Sequence, residues 1–218
     1  MESEQTQLLD EAAVTFAALG MLLYQEPTPE RTALLIDEDF FAGVPFADDD
    51  PQTAQGLTLL KRWTDEAREL DLIGVTSELK REWLRLLVGF GEPLAPPWAA
   101  YYFEKDPVIF GSKTLEVRSW YTRYGLELER KYHEPDDHLG LMLQFLALLI
   151  TRESEAHKAD DLGEVARLMQ EQHDFFEAAL LPWVPHWQTL VAAEAKSLFY
   201  AGLALLIEGA LRTYMLRF

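Results

Sequence analysis

Five side chains able to bind a metal or move a proton fall within six positions: His133, Glu134, Asp136, Asp137 and His138, with Pro135 among them. Zinc and iron accept such ligands. The spacing opposes a metal site. Histidines five apart with a proline between them do not share one helix face, and no Glu-x-x-His pair occurs elsewhere to complete a di-iron bundle. A hydrolytic pair of Asp137 and His138 fares no better. Neighbours on one backbone rarely form the oriented pair a triad requires, and no Gly-x-Ser-x-Gly elbow is present. Capping combined with partner binding suits these residues. Pro135 gives up a backbone donor at a helix entry, and Asp136 or Asp137 caps the first-turn N–H groups. His138 is expected half exposed in that turn. The acidic, proton-sensitive cluster would then meet a cationic peptide.

The helix it launches explains why the cluster matters. Leu139 to Ile150 is apolar almost all the way round, so it is expected at the centre of the molecule, buried on every side. Upstream, Pro93, Pro96 and Pro97 fix an extended connection, followed at once by Trp98, Tyr101, Tyr102 and Phe103. Aromatics at helical spacing usually belong to the core, and Trp63 and Trp120 are assigned there. Trp98 follows two prolines in a connection, where a large ring is often only partly covered. Aromatic rings beside carboxylates suit a peptide carrying both basic and apolar residues.

The remaining elements are helical. Leu8 to Tyr24 is a mostly apolar helix stopped by Pro27 and Pro29. Thr32 to Asp50 reads as a short helix and a loop. Leu57, Leu60, Trp63, Ala67 and Leu70 predict a helix ending before Gly74, and Leu79, Trp83, Leu86, Leu87 and Phe90 another, ending at Gly89 and Gly91. Val117, Trp120, Tyr121 and Tyr124 mark a helix closed by Gly125. Asp160 to Ala179 turns Leu162, Val165, Leu168, Met169 and Phe176 inward. Pro182 and Pro185 break or begin an element around Trp183 and Trp187. Ser197 to Leu216 is the last helix, with Leu198, Ala201, Leu205 and Leu211 inward. No stretch alternates at period two and no repeat appears. The fold class is all-α, a compact multi-helix fold of about eight to ten helices around a buried central one.

Composition sets the outer limits. The 218 residues make one domain, or two lobes with a hinge near 125–137, and bury roughly 70% of the unfolded surface. Thirty-seven acidic against 19 basic side chains give a net charge of −18, which disfavours nucleic acid and anionic membranes and favours a cationic partner. Without cysteine there is no disulfide or thiolate chemistry. The start, Met1-Glu2-Ser3-Glu4-Gln5, is acidic, unlike a signal peptide. Ala12 to Tyr24 is too short to span a bilayer, and the apolar C-terminal segment carries Lys196, Glu208 and Arg212. A cytoplasmic location follows, without stable membrane insertion. No glycine-rich phosphate loop is present.

Five strings in order give this sequence a family likeness: Trp83-Leu84-Arg85-Leu86-Leu87-Val88-Gly89, Ala95-Pro96-Pro97-Trp98, Val108-Ile109-Phe110-Gly111-Ser112, Glu134-Pro135-Asp136-Asp137-His138-Leu139-Gly140 and Leu180-Leu181-Pro182-Trp183, with Phe199-Tyr200 beyond. They resemble the TorD/DmsD family, the chaperones of molybdenum-containing redox enzymes, nearest its DmsD-like branch. The resemblance implies a non-enzymatic protein, without catalytic residues, metal or cofactor. It would bind the twin-arginine signal peptide of a molybdopterin-containing reductase catalytic subunit of the DMSO or TMAO reductase type, and the body of that subunit. It would assist cofactor insertion and delay export, with the twin-arginine translocase as a further partner. The alternatives are a chaperone for a non-exported molybdoenzyme such as a respiratory nitrate reductase, or a helical metal-dependent enzyme. The resemblance and the −18 charge imply a monomer, while the Glu134-Pro135-Asp136 corner, read as a hinge, offers exchange of helices as the route to a domain-swapped dimer.

By the same resemblance, signal-peptide binding falls to Trp83, Leu86, Leu87, Trp98, Tyr102, Asp137 and His138, and the acidic cluster adds Glu134 and Asp136 to that site. The sequence departs from the DmsD-like pattern at Gly91, where that branch has tryptophan, and at Ala100, usually serine. A twin-arginine leader offers two guanidinium forks followed by an apolar segment, and guanidinium pairs well with carboxylates and aromatic faces.

Overall fold

A computed structural model describes residues 4–37, 40–46, 50–89, 91–103, 110–127 and 135–217. Ten α-helices run through them: α1 (Glu4–Tyr24), α2 (Pro29–Asp37), α3 (Pro51–Ala67), α4 (Leu72–Trp83), α5 (Ala100–Phe103), α6 (Ser112–Arg123), α7 (Leu139–Lys158), α8 (Leu162–Phe175), α9 (Val184–Glu194) and α10 (Leu198–Met215). A 3₁₀ turn at Phe40–Gly43 and π turns at Leu84–Val88 and Phe176–Leu180 complete the set. The all-α expectation holds: no strand occurs among the described residues, only one isolated bridge between Trp98 and His138.

The caps explain the boundaries. Asp50 accepts from the N–H groups of Gln52 and Thr53 at 2.9 Å, with Pro51 at the first helical position of α3. Asp161 and Ser197 cap α8 and α10. Asp71 accepts from Gly74 N–H at 2.7 Å and so starts α4 at Leu72. Gly74 therefore lies inside a first turn, not beyond a helix end as the apolar spacing suggested. Leu70 is consequently 61% exposed, stranded between α3 and α4. Gly125 closes α6 with a positive φ of 69°, as its position after Tyr124 predicts.

The helices gather into two compact units. The first comprises Met1–Tyr24 and Pro97–Trp183, and the second Gln25–Pro96 and Val184–Phe218. The expected hinge near 125–137 lies largely outside the described residues, which omit 128–134.

In the first unit α1 packs antiparallel to α7 and α8 flanks α7. Near one end Asp10 accepts from Ser154 Oγ at 2.6 Å and Lys158 Nζ at 2.7 Å. At the other end Gly20 and Gly140 face each other. A Cβ on Gly20 would lie 2.5 Å from Gly140 O, and one on Gly140 would lie 2.6 Å from Gly20 O. The two helices meet backbone to backbone there. The central helix α7 is buried at nine of its first twelve positions, with Leu141, Gln144 and Leu148 half covered. Phe145 sits among the rings of Tyr121, Tyr124 and Phe175. By length and hydropathy α1 is apolar enough to cross a membrane, yet more than half of its most apolar window is buried in this packing.

The second unit repeats the device with α3 and α10. Cβ atoms on Gly56 and Gly202 would each lie 2.8 Å from the other's carbonyl oxygen. Arg212 reaches both oxygens of Asp50, and Trp63 packs on Phe199 with ring centroids 4.7 Å apart. Trp63 and Trp120 are core, as expected. On α10 only Leu211 of the four expected inward residues is fully buried. The stripe that goes inside is Phe199, Tyr200, Leu203, Leu206, Ile207 and Ala210, because an apolar helix offers several faces and the glycine contact selects one. Leu162, expected inward, is 74% exposed beside the Asp161 cap of α8.

Candidate functional site

The two motif strings richest in functional groups meet in the first unit. Leu139 N–H donates to Pro97 O at 2.7 Å and Ala99 N–H to Asp137 O at 3.1 Å, on either side of the Trp98–His138 bridge. This pairing ties the proline–aromatic connection to the entry of α7. It also fills that entry. Gly140 N–H donates to His138 Nδ1 at 3.0 Å, and the N–H groups of Leu141 and Met142 donate to His138 O. All four first-turn donors of α7 are thus satisfied, as a buried helix end requires.

The cap of α7 is therefore His138, not Asp136 or Asp137, and the histidine is buried, not half exposed. Accepting on Nδ1, the neutral ring carries its proton on Nε2. Burial pushes its pKa down to about 3. Tyr24 and Trp98 meet it edge-on, with centroids 5.2 and 5.9 Å away.

Both aspartates look inward. Asp137 is fully buried, with Oδ2 accepting from Ala100 N–H and Oδ1 from Thr114 Oγ, each at 2.7 Å. It starts α5 and anchors α6. Burial pushes its carboxyl above the usual range, against the pull of those two donors. Asp136 is buried as well. Its Oδ2 accepts from Arg118 Nε at 3.0 Å and Nη2 at 2.6 Å, while its carbonyl accepts from Tyr121 OH at 2.9 Å. The expected exposed acidic cluster is, over 136–138, a buried junction. A loop can place such carboxylates inside only because α6 supplies the donors. His133 and Glu134 lie outside the described residues. Among the described residues, no three His, Asp or Glu side chains converge as metal ligands.

Sequence reasoning missed Thr114, Arg118 and Tyr121. Their spacing places all three on one face of α6, so a polar stripe was available as a signal. Only the apolar period was followed. Gly20 and Gly140 were missed too, since a glycine in a helix reads alike whether it meets solvent or another backbone.

Surface at this junction is aromatic. Trp98, Tyr101 and Tyr102 are half-buried and Phe103 is exposed. Tyr102 stacks on the buried Trp183 at 4.9 Å, and Trp183 Nε1 donates to Ala179 O in the π turn that ends α8. Lys113 lies 4.2 Å from the Phe103 ring centroid. Ala100 gives its N–H to Asp137 and buries its methyl.

The other candidate residues belong to the second unit. Trp83 ends α4 half-buried, while Leu86 and Leu87 of the π turn are buried. That turn frees carbonyls, and the proline connection takes them: Ala95 N–H donates to Leu86 O at 2.8 Å and Leu94 N–H to Arg85 O. Gly89 makes the bend at φ 77°, where a Cβ would strike the Pro93 nitrogen at 2.7 Å. Of the three candidates here, Trp83 offers the most surface.

Residues 47–189 match the family described as nitrate reductase delta subunit. The Tat proofreading chaperone DmsD of Salmonella typhi is 27% identical over 198 residues, 89% of this chain and 84% of that one. DmsD of Salmonella paratyphi A is 29% identical over 157 residues, 70% of each chain. The chaperone protein TorD of a Psychrobacter species is 35% identical over 108 residues, 50% of this chain and 47% of that one. The match over 47–189 covers well over half of the sequence and includes both halves of the Pro97–Leu139 junction, so this chain belongs to the nitrate reductase delta subunit family, that of the TorD and DmsD chaperones.

Proposed function

We propose that the protein is a cytoplasmic maturation chaperone that binds the twin-arginine signal peptide of a molybdopterin-containing reductase catalytic subunit. It holds that subunit during cofactor insertion and delays its export to the twin-arginine translocase. It works by binding, without turnover. The observation that carries this reading is likeness to a Tat proofreading chaperone over 89% of the chain. The aromatic surface of Trp98, Tyr101 and Tyr102 gives it a physical basis, since such rings accept both guanidinium planes and apolar side chains.

In this reading Trp98, Tyr102 and Trp83 touch the leader. Asp136, Asp137 and His138 hold the Trp98 segment in place, and Leu86 and Leu87 support Trp83. The −18 charge supplies long-range attraction to a basic leader. The protein acts as a monomer.

The test is calorimetric titration with a synthetic twin-arginine leader, repeated with both arginines changed to lysine and at rising salt. Affinity should fall with salt, because exposed charge attraction is screened beyond about 10 Å at 0.1 M, and should drop on the lysine change. Equal affinity for the two peptides would remove guanidinium recognition from the proposal. The family's description favours a second reading, a chaperone of a nitrate reductase that is not exported. A mature-domain segment would then bind and the leader would not.

A further inference from the structure

We infer that the second unit carries a phosphate-binding groove between the outer stripe of α4 and the corner joining α9 to α10. The groove has a volume of about 250 Å³ and is lined by Glu78, Arg81, Glu82, Arg85, Lys196 and Ser197. Glu78, Arg81 or Glu82, and Arg85 follow one another at helical spacing along one face, while Lys196 and Ser197 come from the corner opposite.

Three of the chain's 19 basic residues meet here, in a protein with a net charge of −18. Their commitments differ. Arg85 donates to Glu194 O at 2.6 Å and lies 3.6 Å from Glu82. Arg81 and Lys196 are exposed and have no ion-pair partner among the described residues. Glu82 is buried, and its carboxylate is engaged by the backbone N–H groups of Lys196 and Ser197, at 3.1 Å for Ser197. It serves as the internal anion that holds the corner. That leaves the groove with two unengaged cations, Arg81 and Lys196, and a third, Arg85, already paired with the carboxylates of Glu82 at 3.6 Å and Glu194 at 3.8 Å, with Glu78 as a further anion in the lining.

A guanidinium fork and an ammonium on facing walls match a tetrahedral dianion, whose oxygens take paired N–H donors from arginine and a point charge from lysine. The volume is below that of a drug-sized pocket, so it suits a phosphate group with the rest of any ligand in solvent. Inorganic phosphate and a phosphate monoester share that chemistry.

The experiment titrates the full chain by calorimetry with inorganic phosphate, pyrophosphate and glycerol phosphate at constant ionic strength. Chloride serves as the control. Phosphate compounds should bind with saturation where chloride does not, and Arg81→Ala and Lys196→Ala should each weaken binding about tenfold, the loss of one charge-assisted pair. Glu78→Gln should tighten it. Both alanine variants replace exposed side chains, so unchanged melting temperatures establish that the fold is intact. Glycerol phosphate binding as tightly as phosphate marks a site for monoesters, and weaker binding marks one for the free ion. No saturable phosphate binding, or affinity indifferent to both alanine changes, overturns the inference. Twin-arginine leader binding should be the same in Arg81→Ala as in the unaltered chain, which keeps this test separate from the signal-peptide reading.

Discussion

Gly20 and Gly140 stand so close that each has the other's carbonyl oxygen where its own side chain would begin. The α1–α7 pairing, and with it the position of His138 two residues before Gly140, depends on that contact. Gly140→Ala should destabilise the protein by about 1–3 kcal/mol, the usual cost of forcing a methyl into filled space. Gly163→Ala is the control. It lies exposed in the first turn of α8, where a Cβ meets only Asp161 Oδ1 at 3.5 Å, and it should be neutral or stabilising by about 0.4–1 kcal/mol. Urea denaturation of both variants decides the matter, and equal behaviour would refute the close crossing.

Asp137→Ala should cost more than the loss of a helix cap. It strips the acceptor from two buried donors, Ala100 N–H and Thr114 Oγ. A cap is worth about 1 kcal/mol, whereas buried donors left unpaired cost about 1–3 kcal/mol each. Asp137→Asn retains one amide oxygen and should lose less. Chemical denaturation ranks the three proteins. A loss near 1 kcal/mol for alanine would mean water replaces the carboxylate.

Arg118→Lys tests the Asp136 pair. The guanidinium supplies two donors to one carboxylate oxygen, and an ammonium on a flexible stem cannot reproduce that approach. Arg118→Ala should be the worse of the two, because it leaves Asp136 buried without its cation, a cost of about 3–5 kcal/mol. Thermal unfolding should place the lysine variant between alanine and the unaltered protein.

His138 gives a pH dependence of known sign. Its folded pKa of about 3 lies below the ordinary value of 6.5, so between those limits the unfolded chain binds the extra proton. Its contribution to stability is complete above pH 6.5 and drains away as pH falls towards 3. The ring Cε1–H resonance of His138 should stay constant in proton NMR from pH 8 to 4.5. His138→Asn, which retains a capping oxygen, should flatten the fall in melting temperature below pH 6.5. A His138 resonance titrating near 6.5 would contradict the buried, neutral ring.

Trp98→Ala separates recognition from support. The ring is half-buried, so its loss should weaken leader binding about tenfold, the factor that corresponds to a lost contact of about 1.4 kcal/mol at an interface. The fold should survive with a modest drop in melting temperature, followed by circular dichroism. Normal leader binding would take Trp98 out of the site.

What the sequence determined by itself was local. The helical spacing of apolar residues, Gly125 after α6 and the apolar run of α7 depend on residues within a few positions, and they made the all-α class legible, whereas the caps at Asp50, Asp71, Asp161 and Ser197 came with the structure. The motif strings likewise showed the family, because their order survives without any coordinates. Direction was not legible. Nothing within 136–138 says which side chain looks inward. That was decided by Thr114, Arg118 and Tyr121, whose donors make burial of two carboxylates affordable and so turn an acidic loop into a junction. An apolar helix such as α10 could bury any of several faces, and the face chosen is the one that lets Gly202 meet Gly56. Burial is a property of pairs of segments, and a single segment specifies only half of each pair.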